Sequence, residues 1–248
     1  MQAAQQIDLD PSGFDYSMLT HRDLVNIVLQ RSEVLSDVRS PGAVIRAWIA
    51  GDEAPLDEIV ATKGVVLAQR AARVIGQEFA QILPRLRYIA PPSIADIGCG
   101  YAFFGLFAHH ALDCDLLLID VERNDRRHFG FEEEAAAYSD LNHARAFLIA
   151  NGVPPNRVRC WNPEEQDLDE AQKVRMAVSF LACGFHFPVD MYMPFFRFGV
   201  EPGGKVMLDL RAKHFQDNKR TLQTLGRVEL LSQGGGRKRV IVHKGQRA

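Results

Sequence analysis

The stretch IADIGCGYAFFG, from Ile94 to Gly105, decides the fold class of this 248-residue chain. An apolar run ends in a turn that holds Gly98 and Gly100, and a second apolar run, FFGLFAHHAL, follows it. Glycine allows backbone conformations and close approaches that a side chain forbids. The stretch therefore predicts a strand, a tight turn and a helix, with the backbone of the turn open to a ligand.

Short apolar runs alternate with helical segments from Pro91 onward. These runs are SIADIG, CDLLLIDV, RVRCW, VRMAVSFLAC and GKVMLDLR. Runs of this kind without polar alternation are typical of strands that helices cover on both faces. The chain then ends in GRVELLSQGGGRKRVIVHK, two alternating runs around three glycines, which predicts an antiparallel hairpin. We predict an α/β fold that is Rossmann-like and doubly wound, with a mostly parallel sheet and an antiparallel C-terminal hairpin.

The N-terminal third of the sequence has helical periodicity instead. The segment DLVNIVLQRSEVL has apolar residues at helical spacing, and Ser40-Pro41 supplies a cap and a first-turn proline ahead of GAVIRAWIA. A longer amphipathic stripe runs from Leu67 to Leu86. We therefore expect an N-terminal helical cap over residues 1–90 and a core domain over residues 91–248.

Composition excludes several classes of protein. Hydrophobic residues make up 47% of the chain and charged residues 24%, which is typical of a globular protein rather than a disordered or fibrous one. No apolar run approaches the roughly 18 residues that cross a bilayer, and the N-terminus lacks the layout of a secretory or transit signal. The four cysteines show no C-x-x-C spacing and His109-His110 are adjacent on one helix, so we expect reduced thiols and no metal site. The sequence predicts a cytoplasmic protein without membrane contact.

The residues of the glycine turn exclude two common ligands. A phosphate loop needs G-x-x-x-x-G-K-[ST], but the residues from Tyr101 to Phe107, YAFFGLF, include no Lys, Ser or Thr. A dinucleotide fingerprint that starts at Gly98 needs a third glycine at position 103, which is Phe103. Instead, Asp96 stands two residues before the first glycine, and Asp120 ends the next apolar run.

In these residues the chain resembles the class I S-adenosylmethionine-dependent methyltransferases. Their first motif reads approximately D-x-G-x-G-x-G, which Asp96, Gly98 and Gly100 match, and the acid that closes their second strand corresponds to Asp120. Ala102 replaces the third glycine, and alanine is small enough to keep the backbone accessible. The resemblance covers about 150 residues, from Ile94 to the final hairpin.

The resemblance implies that residues 91–248 bind S-adenosyl-L-methionine. This cofactor has a sulfonium and an ammonium but no phosphate, so carboxylates suit it electrostatically, and one carboxylate can accept hydrogen bonds from both ribose hydroxyls. By position alone, Asn162 would bond the adenine edge and Trp161 would stack on it, although a structural role suits a buried tryptophan equally well. The residues assigned to the cofactor are Asp96, Gly98, Cys99, Gly100, Asp120, Trp161 and Asn162.

The aromatic stretch SFLACGFHFPVDMYMPFFRF is the candidate acceptor region. In this fold the acceptor usually sits beyond the fourth strand, and seven of the 22 aromatic residues of the chain fall in this stretch. His186 lies among them, and histidine is the usual general base near neutral pH. Asp190 would orient it and Tyr192 would contact the acceptor. A structural histidine fits the same pattern, and both interpretations stay open.

The sequence favours a small-molecule acceptor, methylated at oxygen or nitrogen by in-line displacement. The [DN]-P-P-[YFW] signature of nucleic acid amino-methyltransferases is absent. The stretch GFHFP resembles stretches in uncharacterised bacterial methyltransferases that are sometimes described as sugar-directed, which does not settle the substrate. A sugar or another metabolite is therefore the leading acceptor class. Residues 211–248 carry ten Lys or Arg against two acidic residues, a net charge of +8, so an RNA methyltransferase is the first alternative. A catalytically silent fold that binds cofactor or a partner protein is the second.

Overall fold

The computed structural model describes residues 10–122 and 139–246, and its centre is a seven-stranded sheet. The strands are β1 (Ser93–Ile97), β2 (Asp115–Ile119), β3 (Val158–Trp161), β4 (Val174–Ser179), β5 (Val200–Arg211), β6 (Gly226–Gly234) and β7 (Arg237–Lys244). Their order is β3-β2-β1-β4-β5-β7-β6. The first five strands are parallel, whereas β7 pairs antiparallel with both β5 and β6. The structure confirms the doubly wound sheet and its antiparallel hairpin.

Seven α-helices lie in the described residues. They are α1 (His21–Gln30), α2 (Pro41–Ile49), α3 (Ala54–Ile89), α4 (Phe103–Leu112), α5 (Leu141–Ala150), α6 (Val189–Pro194) and α7 (Phe215–Gln223). In these residues no helix combines the length and the apolar character that crossing a bilayer requires.

The strand order reverses beside β1, and this reversal opens a crevice. Within the sheet, β2 pairs with one edge of β1, and β4 pairs with the other edge of β1. The loops after β1 and β4 therefore leave the sheet in opposite directions at its carboxyl edge. In open α/β sheets, ligands bind at such a switch point.

Two apolar clusters cover the two faces of the sheet. On one face the N-terminal helices pack directly on α4: the ring of Phe79 in α3 stacks on Phe107 with centroids 5.8 Å apart and meets Phe104 at 5.6 Å. On the other face Tyr192 and Phe195 are fully buried near α6, together with Leu208 of β5. Helices on both faces explain why the strands read as continuous apolar runs.

A buried hydrogen-bond cluster joins α1 to the glycine turn. Thr20 and Asp23 cap the start of α1 reciprocally. The hydroxyl of Tyr101, between the second glycine and Ala102, donates to Asp23 Oδ1 at 2.8 Å, and Asn26 Nδ2 donates to the Tyr101 hydroxyl at 3.1 Å. Burial, and then the charge of Asp23, raise the pKa of Tyr101, so the hydroxyl stays protonated as a donor. The N-terminal helices are thereby held against the turn.

We predict that Tyr101→Phe lowers the free energy of unfolding by about 1–3 kcal/mol, because it keeps the ring but leaves a buried carboxylate oxygen of Asp23 without its donor. Urea unfolding followed by circular dichroism measures the change. Tyr88→Phe is the matched control, since Tyr88 is 86% exposed, and it should have almost no effect. Equal stability of the two variants would show that the Tyr101 hydroxyl does not hold α1 in place.

Candidate active site

The turn between β1 and α4 has the backbone conformation that its glycines predict. Gly98 and Gly100 have φ values of 71° and 54°, in the left-handed region. A Cβ on Gly98 would lie 2.2 Å from the Cβ of Ala182, in the loop that follows β4. Gly98 is therefore required by the packing of these two loops, in addition to any ligand.

Ala102 occupies the position at which the motif has a third glycine. Its φ is 60°, it is fully buried, and its carbonyl accepts the amide of Leu106 at 3.0 Å in the first turn of α4. A left-handed alanine costs about 1–2 kcal/mol relative to the usual conformation. The missing glycine therefore reduces stability slightly and leaves the path of the backbone unchanged.

Asp120, just after β2, is fixed by two backbone amides of the crevice. Its Oδ2 accepts the amide of Gly100 at 2.8 Å, and its Oδ1 accepts the amide of Val121 at 2.9 Å. The side chain is 5% exposed; burial raises its pKa, and these hydrogen bonds oppose the rise. The Ser139 side chain and the Glu122 backbone also hydrogen-bond to this carboxylate. Because a carboxylate has about four acceptor sites, a ligand hydroxyl in the crevice would share an oxygen with one of these donors or replace it.

Asp96, near the end of β1, has an unsatisfied carboxylate oxygen. The residue is 4% exposed, and its Oδ2 has no hydrogen-bond partner in the described part of the chain. Burial, and then the charge of Asp120, raise the pKa of Asp96 to about 7. It borders a small cavity of about 60 Å³ together with Cys99 and Phe104. A buried acceptor without a donor is costly, so this oxygen is suited to an ammonium or hydroxyl of a ligand.

A cleft of about 680 Å³ opens at the carboxyl edge of the sheet. The glycine turn and Asp120 form one wall, and residues 180–187 form another. The end of α1 and the middle of α3 close a third side, and the β6–β7 hairpin contributes residues 232–235. The volume falls within the range of small-molecule sites.

His186 lies in the wall of this cleft. The loop that carries it is anchored by Ser179, whose Oγ donates to the Ile97 carbonyl at 2.8 Å and accepts the amide of Cys183 at 2.9 Å. The rings of Phe185 and His186 meet edge to face with centroids 5.2 Å apart. The loop thus presents a polar imidazole within an aromatic wall.

The structure does not bring Asp190 and Tyr192 to the cleft. Asp190 is exposed in the first turn of α6, and Tyr192 is 1% exposed in the apolar cluster on the opposite face of the sheet. The cause is the helix α6, which starts at Val189 and turns the chain away from the cleft just after His186. Sequence proximity to His186 therefore does not produce proximity to the site.

Trp161 and Asn162 also lie outside the cleft lining. Trp161 ends β3 and borders a separate depression with Leu117 and Arg159. Asn162 is buried, and its Nδ2 donates to Glu122 Oε2 at 3.2 Å while its Oδ1 accepts the amide of Glu164 at 3.0 Å. Asn162 therefore supports the segment that follows Asp120.

Sequence reasoning missed the charged residues that distant elements bring to the cleft. Arg31 at the end of α1 and Arg237 at the start of β7 both line it, and Glu78 of α3 lies between their guanidinium groups. The signal available in the sequence was the basic character of residues 211–248. For α1 and α3 the sequence contains no signal, because only packing places them at this edge.

The four cysteines were predicted to be reduced thiols rather than metal ligands. Cys99, Cys114, Cys160 and Cys183 are all free, and burial raises the pKa of each. Within residues 10–122 and 139–246, no three His, Cys, Asp or Glu side chains are arranged to hold a metal ion.

We predict that the free energy of unfolding falls between pH 5 and pH 8. The pKa of Asp96 is raised on folding, so its protonated carboxyl stabilises the folded protein at low pH. This contribution is lost as the pH rises through about 7. Asp96→Asn should reduce this fall by about 1–3 kcal/mol. Urea unfolding at both pH values measures it. Asp169→Asn, at an exposed position, should behave as the parent protein, and an unchanged fall in Asp96→Asn would contradict the assignment.

No protein-family model and no curated protein matches the sequence. Solved structures with a similar fold include the ribosomal protein L11 methylase of Lactobacillus delbrueckii subsp. bulgaricus, at 12% sequence identity over 68% of this chain and 78% of that chain, with a TM-score of 0.48. An O-methyltransferase family protein of Burkholderia thailandensis is 11% identical over 71% of this chain and 60% of that chain, with a TM-score of 0.44. Human N-acetylserotonin methyltransferase, in complex with S-adenosylmethionine, is 9% identical over 75% of this chain and 58% of that chain, with a TM-score of 0.45. This chain spans less than two thirds of the last two. By its strand order and its glycine turn, the chain has the fold of the class I methyltransferases.

Proposed function

We propose that this protein is an S-adenosylmethionine-dependent methyltransferase that acts on a small molecule. The observation that carries the proposal is the pair of buried carboxylates, Asp96 and Asp120, at the switch point of the sheet, where the turn has no Lys, Ser or Thr for a phosphate. A cationic donor without phosphate is the ligand that such a turn fits.

The residues of the crevice fit the proposed cofactor. Asp120 would accept the ribose hydroxyls, since Gly100 and Val121 fix its orientation in the lining of the cleft. The hydroxyls would replace the smaller contacts that Ser139 and Glu122 make with the same carboxylate. Asp96 would receive the ammonium on its unsatisfied Oδ2. Gly98, Cys99 and Gly100 would border the amino-acid tail with backbone. Contacts of Trp161 and Asn162 with the adenine stay a prediction, since both lie away from the cleft lining.

S-adenosylmethionine, when bound, supplies an activated methyl group, and the remaining tasks fall to the chain. The aromatic wall excludes water and aligns the acceptor. His186 would accept the proton that an oxygen or nitrogen nucleophile loses. The helices of residues 1–90 would act as the cap of the acceptor side, over a core of residues 91–248, because Ile27, Ala71 and Ile75 line the cleft.

The placement of the basic residues supports a small molecule over RNA. Arg239 is buried and bound to Asp209, and Lys244 is buried with its Nζ donating to the carbonyl of Val200 at 2.6 Å. Lys238 stacks over Phe215 on the other face of the sheet, 4.3 Å from its centroid. The positive charges of Arg237, Lys238, Arg239 and Lys244 are therefore divided between the core, the cleft and the other face of the sheet. A sugar or another metabolite remains the proposed acceptor class.

We predict that Asp120→Asn weakens S-adenosylmethionine binding by about 10–100-fold, because hydrogen bonds from the ribose hydroxyls to a charged acceptor are lost. Isothermal titration calorimetry measures the affinity, and circular dichroism checks the fold. Asp115→Asn is the matched control at the opposite end of β2, where Asp115 pairs with Arg157, and it should bind normally. Unchanged affinity in Asp120→Asn would remove the ribose assignment.

We predict that His186→Gln and His186→Ala lower turnover by about 100-fold or more while S-adenosylmethionine affinity is retained, as loss of a general base requires. Turnover is followed as S-adenosylhomocysteine release, with an acceptor found by screening metabolite extracts. His214→Gln, at an exposed position, is the control. Near-normal turnover would return His186 to a structural role. A parent protein that binds the cofactor but methylates no extract would indicate the catalytically silent fold.

A further inference from the structure

Two arginines from distant elements share one carboxylate beside the cleft. Arg31 Nη2 lies 3.5 Å from Glu78 Oε2, and Arg237 Nη1 lies 3.3 Å from Glu78 Oε1. Charge-assisted hydrogen bonds are usually about 2.7–2.9 Å long, so both contacts are loose. Because the two guanidinium groups divide one negative charge, neither is fully compensated by Glu78.

Arg237 has donors that the protein does not use. Its contacts with Glu78 and with Asp209, at 3.3 and 3.4 Å, both involve Nη1. In the described residues, Nε and Nη2 have no partner, and the side chain is 30% exposed in the lining of the cleft. Asp209 is fully buried and already accepts two bonds of 2.7 Å from Arg239. Arg237 is therefore held in position with part of its guanidinium facing open space.

Arg211 adds an uncompensated charge at the same edge. It is the register partner of Arg237 across β5 and β7, so both side chains project from the same face of the sheet. Its guanidinium lies over the ring of Phe185, 4.6 Å from the centroid, and no acidic side chain among residues 10–122 and 139–246 pairs with it. Like charges directly opposite each other destabilise a sheet, and a bound anion would relieve this repulsion.

We call Arg31, Arg211 and Arg237 the guanidinium cluster. The acids that face it are Glu78 and Asp209, with Glu33 half-exposed beside Arg31 at 3.2 Å. Asp96 borders the same small cavity as Arg31 and Arg239, but its role in the proposed function is to receive the ammonium of the cofactor. The cluster thus holds three positive charges against the half-buried Glu78 and Glu33 at the rim, because the buried Asp209 is already paired with Arg239.

We propose that the guanidinium cluster binds an anionic group of the methyl acceptor, a carboxylate or a phosphate. Arginine presents paired donors that match both groups. Phe180, Phe185 and Phe187 line the adjoining wall, and would hold a flat apolar body between the anion and His186. The acceptor would then be an aromatic acid or an aryl phosphate. This inference rests on the proposed function, because it assigns the cleft beside the glycine turn to the acceptor.

The test compares small aromatic anions with neutral isosteres in the full-length protein without cofactor. Isothermal titration calorimetry would measure benzoate and phenyl phosphate against benzamide and benzyl alcohol. We expect the anions to bind at least about tenfold tighter than the neutral compounds. A carboxylate subsite is shown by preference for benzoate, and a phosphate subsite by preference for phenyl phosphate.

Variants at the cluster supply the matched controls. Arg237→Gln should lower the ratio of anion affinity to neutral-compound affinity by about tenfold. Arg31→Gln, in a different element, should also lower this ratio. Glu78→Gln should instead strengthen benzoate binding, since it removes the competing carboxylate. Arg220→Gln is the control, because Arg220 is 76% exposed and pairs only with Asp217 among the described residues. Thermal melting would confirm that each variant is folded.

Three results would overturn the inference: equal affinity for benzoate and benzamide, an unchanged preference in both Arg237→Gln and Arg31→Gln, or displacement of benzoate by a single-stranded RNA with steep salt dependence. S-adenosylmethionine affinity is measured separately on the same samples. The two measurements separate the two proposals. If the variants abolish the anion preference, the anion subsite is supported. If the same protein does not bind S-adenosylmethionine, the proposed function is overturned.

Discussion

The carboxylate of Asp120 is the contact on which the site depends. It accepts the amides of Gly100 and Val121, and so connects the turn after β1 to the end of β2. Because the group is buried, its charge is costly without these donors, and the turn conformation that supplies them is stabilised in return. The contact adds to the backbone hydrogen bond by which the amide of Gly98 donates to the carbonyl of Ile119 at 2.7 Å. One buried acceptor therefore gives the crevice a fixed shape before any ligand binds.

The rest of the cleft is assembled around this fixed turn by long-range contacts. Tyr101 attaches α1 through Asp23, and Gly98 admits Ala182 of the loop after β4 to a distance that a side chain would block. The β7 strand then carries Arg237 to the same edge. Acidic residues of the turn and basic residues of the cluster consequently meet in one space. Such a cleft suits a cationic donor beside an anionic acceptor.

The predicted site residues differ in where the structure places them. Asp96 and Asp120 were predicted from the resemblance to the class I methyltransferases; Asp120 lines the cleft, and Asp96 borders the small cavity beside it. His186 was placed near the acceptor for the same reason, and it lines the cleft. Tyr192 was chosen for its proximity along the chain, but the helix that begins at Val189 directs it into the opposite core.

The sequence by itself determined the sheet, the order of its elements and the glycine turn, because these follow from local periodicity and from the backbone freedom of particular residues. It also determined that the turn does not suit a phosphate. Only the tertiary structure decided which side chains complete the cleft. Arg31, Glu78 and Arg237 are separated by 47 and 159 residues along the chain, and no local pattern records a contact made by packing helices on a sheet.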